Sequence, residues 1–313
     1  MAVADFFTAG GETALIVRLE GEATTQAAFS AGLAALDAVD FNILVLTPDQ
    51  IEGDVPTFAR EAAAVCVAQR QAMLILDAPA AWTSAQQAVD NLADLGQFPQ
   101  EALGRIVCYF PRAAVQMEHP QGGTILSARP VSGAAAGLWA LTDRAQGVWI
   151  PAAGPGAVLP YQEQTNLLTV DDLALLSMKG LNVVRLVAGA GLCLWGARTR
   201  LPDMLSNFIT QRRLLDHIQA SVARGLAWTA VEPPTPMLMG QVATEVSAFL
   251  AGIWQAGGLF GPKVSDAFSV ICDRSNNPLQ DFGGGRLVID MRLAITAPAE
   301  FVVLQMSVPV AAA

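Results

Sequence analysis

Ala72-Met-Leu-Ile-Leu-Asp77 and Arg105-Ile-Val-Cys-Tyr-Phe110, with an alanine-rich stretch over about 83–96 between them, decide the architecture of this chain. Each run is apolar at nearly every position and too short for an ordinary helix, the pattern of a strand buried on both faces. The stretch between them opens with Thr83 or Ser84, either of which can cap a helix. Strand, helix, strand implies parallel neighbours, because a crossover must return the chain to the same end of the sheet. Towards the N-terminus, Thr13–Leu19 and Phe41–Thr47 read as further strands, and about 25–37 and 56–69 as helices, with Pro56 suited to a first turn. The expected class is α/β, with an open sheet of mostly parallel strands.

Towards the C-terminus the pattern changes. From Pro111 to Thr169 the chain is rich in Gly and Pro, with one helical insert from Ser132. Asp171–Lys179 reads as a short helix ended by Gly180, and Leu181–Leu186 and Leu192–Gly196 as strands joined through Gly189 and Gly191. Two long helices follow. One covers about 204–224, with Phe208, Leu215, Ile218 and Val222 on one face; the other covers about 237–256, where Val242, Val246, Phe249, Leu250, Ile253 and Trp254 keep a helical beat. Ala267–Cys272, Arg286–Ile295 and Phe301–Val308 read as strands. In the last, Val302, Leu304, Met306 and Val308 alternate with Val303, Gln305 and Ser307, giving one apolar face. A strand so placed is either an inner member of a sheet or an arm that pairs elsewhere.

Composition narrows the function classes. The 313 residues hold 18 basic and 28 acidic side chains, net −10, and only 15% are charged, against about 25% in an average soluble domain. Prolines and glycines interrupt the stretch Ala145–Thr169, whose one charged residue is Glu163, so no membrane span is expected, and the N-terminus lacks the basic and apolar regions of a signal peptide. A soluble chain, made in the cytoplasm, that hides surface against copies of itself fits these numbers. Residues 1–100 carry 13 acids and 3 bases, and the rest is near neutral, which disfavours nucleic acid as a partner. Cys66, Cys108, Cys193 and Cys272 are widely spaced and read as buried small apolar residues. His119 and His217 lie far apart, so no metal site is expected. No reaction centre assembles. Gly189-Ala-Gly191 lacks the spacing of a dinucleotide loop, Ser132 lacks the preceding glycine of a nucleophile elbow, and Glu118-His119-Pro120 reads as a solvated loop. No cofactor is implied. Arg212-Arg213 is the densest basic spot, and its ordinary reading is a solvated helix face.

Several longer strings, taken together, resemble the tail sheath proteins of contractile phage tails and contractile injection systems. They include Gly180-Leu-Asn182-Val-Val-Arg185 leading to Trp195-Gly-Ala-Arg-Thr199, then Arg212-Arg213-Leu214, Trp228 and Val231-Glu-Pro-Pro234. Phe249-Leu250, Trp254, Gly257-Gly-Leu259, Ala267-Phe268, Cys272-Asp273 and Ala297-Pro-Ala-Glu-Phe-Val302 continue the similarity. Upstream stand Asp5-Phe-Phe-Thr-Ala-Gly-Gly11 with Ile16-Val-Arg18, and Pro130-Val-Ser-Gly133, Ala136-Gly137, Thr142-Asp143 and Gly147-Val-Trp149. Two departures stand out: Pro234 replaces a family asparagine, and the sequence starts after the family's usual P-G-V-Y-type arm.

The resemblance implies a sheath-type core: an α/β part over 1–110, a connecting region over 111–170, and a mixed α+β sheath domain over 171–313 ending in an extended arm from about 299. It implies a structural subunit, not an enzyme, which polymerises around an inner tube and contracts to drive it through an envelope. A baseplate- or cap-proximal sheath-like subunit and a cytoplasmic α/β enzyme are the alternatives. Implied partners are the chain itself in stacked rings, the tube protein, and baseplate and terminator proteins, with no nucleic acid and no membrane insertion. The implied setting is a particle assembled in the bacterial cytoplasm and forming part of a phage tail, a pyocin-like particle or an injection system. By resemblance, Phe301, Val302, Val303, Leu304, Met306 and Val308 of the arm contact neighbouring subunits, and Arg212 and Arg213 face the tube or a neighbour.

Overall fold

The computed structural model describes residues 2–19, 25–47, 54–67, 72–118, 124–203, 207–278, 285–298 and 300–311. The chain divides into two compact units, Met1–Arg212 and Arg213–Ala313. In chain order the elements are α1 (Ala2–Thr8), α2 (Gln26–Ala34), β1 (Ile43–Val45), α3 (Val55–Val65), β2 (Met73–Asp77), α4 (Ala85–Asp90), α5 (Gln100–Leu103), β3 (Ile106–Phe110), β4 (Ala113–Glu118), β5 (Thr124–Arg129), α6 (Ser132–Gln146), β6 (Glu163–Gln164), α7 (Val170–Met178), β7 (Leu181–Val187), β8 (Gly191–Trp195), α8 (Ile209–Gly225), α9 (Pro236–Gln255), α10 (Val264–Ala267), β9 (Phe268–Ile271), β10 (Arg286–Leu293) and β11 (Val302–Pro309).

The first unit is built on a five-stranded sheet in the order β1-β2-β3-β7-β8. The first four strands run parallel and β8 returns antiparallel. Every residue of β2 and β3 is buried, as their unbroken apolar runs require. Alternation divides them between two cores: Leu74, Leu76, Ile106, Cys108 and Phe110 join Phe29, Phe58 and Leu176 on one face, while Met73, Ile75, Val107 and Tyr109 join Trp139, Val184 and Leu194 on the other. The β7–β8 connection turns through Gly189 and Gly191 at φ +79° and +116°, a hairpin and not a phosphate loop.

Two features depart from the sequence reading. The Gly- and Pro-rich region holds a second sheet, β5-β4-β6, whose β4–β5 hairpin pairs over six positions. Thr13–Leu19, expected as a strand, pairs in no ladder among the described residues, and Leu15, Ile16 and Val17 are exposed. His119 and Pro120, and the first residues of the helix expected from 204, lie outside the described residues.

The second unit carries the sheet β11-β10-β9, antiparallel throughout. Leu287, Ile289, Met291 and Leu293 alternate inward along β10 and face Val308, Met306, Leu304 and Val302 of β11 across the ladder. On the opposite face Gln305 donates to Asp290 at 2.8 Å. By length and composition α9 could cross a bilayer, a run that the expectation of no span passed over. Its apolar residues instead form a stripe: Leu238, Val242, Val246, Leu250 and Ile253 are buried, and the helix lies against β9.

Candidate functional site

Edge strands set what a sheet can join. On β9 the sheet continues past the strand end by side-chain mimicry: the buried Asn277 amide donates to the Val288 carbonyl at 2.8 Å and accepts from its N–H at 2.7 Å. On β11 the closure is partial. The Pro309 carbonyl accepts from Thr229 Oγ1 at 2.7 Å, and the Ala311 N–H donates to the Glu232 carbonyl at 3.0 Å, so the C-terminal end of the strand is tied to the 227–231 turn. The N-terminal end lies at the sheet margin with exposed apolar side chains: Val303 is 62% exposed, and Phe301 and Val302 stand near 36–37%. An edge strand with an apolar surface is a template for pairing with another chain.

The structure thus divides the expected arm residues. Phe301, Val302 and Val303 lie on the surface, Leu304 is half-buried, and Met306 and Val308 are spent in the unit's own core. Arg213 is buried, which corrects its reading as part of a solvated face; Arg212 is half-buried.

A cavity of about 450 Å³ opens at the carboxyl ends of β1 and β2, where α/β sheets commonly bind ligands, and Asp77, Asp94 and Arg112 reach it. Each has a structural task. Asp77 accepts from the Val131 and Ser132 N–H groups at 2.8 and 2.9 Å and from the Ser132 hydroxyl, so it serves the first N–H groups of α6. Burial pushes its carboxyl above the usual carboxylate range against these hydrogen bonds and the nearby Arg112 charge. Arg112 Nε donates to the Ala78 carbonyl at 2.6 Å, and Asp94 accepts from Trp82 Nε1 at 3.2 Å. All four cysteines are buried and unbridged, and burial pushes the Cys66, Cys108 and Cys272 thiols up to about 12, far from a reactive thiolate. No group of three or more metal-ligating side chains is gathered among the described residues.

The N-terminal D-F-F-x-x-G-G and P-x-S-G-x-x-A-G strings, noted only as similarity, prove to be two halves of one joint. α1 lies across α6, where a Cβ at Gly133 would stand 2.3 Å from the Ala2 carbonyl oxygen and one at Gly137 equally close to that of Phe6. Asp5 closes the joint through a bidentate pair with Arg129 at 2.7 and 3.1 Å.

An α/β unit and a second unit whose sheet has a partly open margin define a class by fold, one in which a sheet edge can accept a further strand. Known proteins give that class its name. No protein-family model matches the chain. The tail sheath protein of Vibrio phage KVP40 is 28% identical over 156 residues, 48% of this chain and 22% of that protein. That of Burkholderia phage BcepMu is 28% identical over 180 residues, 55% and 36% of the two lengths. A prophage protein of Pseudomonas aeruginosa strain UCBPP-PA14, named as a major tail sheath protein, is 24% identical over 55% of this chain and 44% of its own. The anti-feeding prophage helical sheath in its contracted state superposes with a TM-score of 0.74 at 25% identity, covering 97% of this chain and 80% of that one. The sheath complex of an extracellular contractile injection system, also contracted, gives 0.76 at 22% identity over 97% and 78%. The chain is a relative of the tail sheath proteins, and its fold is the sheath-protein fold. The matches span less than half the length of these curated relatives.

Proposed function

We propose that this chain is a structural subunit of a contractile sheath. Copies polymerise helically around an inner tube, and passage from an extended to a wider contracted arrangement drives the tube forward. Its work is conformational, not catalytic. One observation carries the reading: nearly the whole chain shares its fold with sheath subunits held in a contracted assembly. The open N-terminal half of β11 supports it, since strand addition ties subunits together while their bodies move. The chain from about 299 then acts as the arm, with Phe301, Val302 and Val303 as its contact residues and Leu304, Met306 and Val308 anchoring it at home. Arg212, the less buried of the two arginines, is the tube- or neighbour-facing candidate. The partners are further copies of the chain, a tube protein, and baseplate and terminator proteins, in a tail-like particle assembled in the bacterial cytoplasm. A likeness of TM-score 0.75 to a chain of the anti-feeding prophage baseplate favours, as a second reading, a subunit placed next to the baseplate.

Val303→Lys tests the reading. The position is exposed, so the monomer should keep its melting temperature to within a degree or two, as surface substitutions do. Negative-stain microscopy should show tubes or cogwheel rings for the wild type and few or none for the variant. Wild-type protein that stays as single particles under tube-forming conditions would refute the sheath reading.

A further inference from the structure

The seat of α1 on α6 is exacting. The Ala2 and Phe6 carbonyls lie against Gly133 and Gly137, where no side chain would fit, and the buried Asp5 meets Arg129 in a bidentate pair. α1 also closes its own C-terminus. Gly10, at φ +101°, donates to the Phe7 carbonyl at 3.1 Å, and the Gly11 N–H donates to that of Phe6 at 2.9 Å, a Schellman cap. Ala2–Gly11 is therefore a capped plug, and the surface that receives it is cut to its backbone.

The chain that follows has no comparable hold. Residues 13–19 make no backbone hydrogen bond to another described residue. Glu12 pairs with Arg144 at 2.8 Å, but both side chains are largely in solvent, where such pairs contribute little. At the far end Val17 and Leu19 rest against Gly32 of α2. Between these points Leu15, Ile16 and Arg18 are exposed. Water already solvates this backbone, so releasing the run breaks few contacts.

A closely fitted plug on a loosely held tether is the anatomy of an exchangeable element. A plug that leaves α6 loses its contacts, and one that enters the same seat on another copy regains every one of them. For a lone chain its own seat is favoured, because a short tether keeps the plug at about millimolar effective concentration there. Inside a polymer the seats of neighbours are as concentrated, and that advantage disappears. Fully extended, residues 12–19 reach about 28 Å. Each copy gives one plug and receives one, so the link can repeat without closing. A neighbour drawn in this way also lies beside the tether, where Leu15 and Ile16 otherwise face water.

We propose that α1 is exchanged in the assembled protein: the Ala2–Gly11 plug of one copy seats on α6 of the next, with 12–19 as the tether between them. The inference rests on the polymer reading above and names a link distinct from the β11 edge. Its test uses Glu12 and Arg144, whose exposed side chains meet only when a plug is seated, and the four native cysteines are buried. Full chains carrying Glu12→Cys are mixed with full chains carrying Arg144→Cys, assembled, pelleted and treated with a short bis-maleimide. The mixture should give a covalent dimer on a denaturing gel, and either variant assembled alone should give none. The double variant should give a ladder of multimers once assembled; kept dilute, it should run as one internally bridged chain. Adding Gly133→Ala to the Arg144→Cys copy, checked for native circular dichroism, spoils the seat and should cut the dimer about tenfold. A dimer indifferent to Gly133→Ala comes from bodies lying side by side and overturns the exchange. So do assemblies that pellet but give only internally bridged chains, an outcome that leaves the sheath reading standing. Wild-type protein that never pellets overturns both.

Discussion

At the scale of single residues, the strongest constraints are contacts that only a hydrogen atom can satisfy. α1 has seven residues, too few to persist as a helix in water, so it exists because α6 receives it. Gly133 and Gly137 permit that approach, and Asp5 with Arg129 fixes its register. Gly133→Ala places a methyl group inside the Ala2 carbonyl and must displace the helix, for a loss of about 1–3 kcal/mol. The variant should melt several degrees lower and be cut by protease near residues 10–19 under conditions where the wild type is resistant. An unchanged melt and digestion pattern would show that α1 does not depend on the notch. The pair of glycines was legible in the sequence only as part of a string of family resemblance. Its meaning needed the partner helix, which lies more than a hundred residues away.

At the scale of elements, what the sequence showed depended on whether an element's reasons are local. β2 and β3 were visible because strands buried on both faces announce themselves as apolar runs, and α9 because its stripe keeps a helical period. The β4–β5 hairpin was passed over because Ala113–Glu118 and Thr124–Arg129 show no steady alternation and sit among glycines and prolines. Thr13–Leu19 misled in the opposite sense: it has the composition of a strand, but pairing is a tertiary property that composition cannot supply. α7 shows local logic at its most complete. Thr169 accepts from the Asp172 N–H, and the Asp172 carboxylate accepts from the Thr169 N–H at 2.8 Å, a reciprocal box. Thr169→Ala should lower stability by about 1 kcal/mol, measured by urea titration. The Thr169 hydrogen bonds hold the Asp172 carboxyl below its usual 3.8. A depressed acid contributes stability that is present above 3.8 and lost as pH falls through the lower folded value. The gap between wild type and Thr169→Ala should therefore narrow below that pH, and a gap that stays constant into strong acid would argue against the box.

At the scale of the whole molecule, the low charge and the net −10 act in opposite directions. A surface with few charges is easily desolvated against a neighbour, while ten uncompensated negative charges on every copy resist crowding. The two terms differ in range, and that decides their response to salt. Self-repulsion acts across open solvent between whole subunits, so it fades once the screening length drops from about 10 Å at 0.1 M salt towards about 3 Å at 1 M. Pairs formed inside a contact are partly buried and screened far less. The repulsive term should therefore weaken first. Raising salt from 0.05 to 0.5 M should lower the concentration at which wild-type protein begins to pellet by a few fold, and lowering pH towards the isoelectric value of about 4.6 should act in the same direction. Sedimentation across a salt series measures this. If salt instead raises the wild-type onset, attraction between complementary charges outweighs the net field, and the acidity of the first hundred residues is itself a binding element.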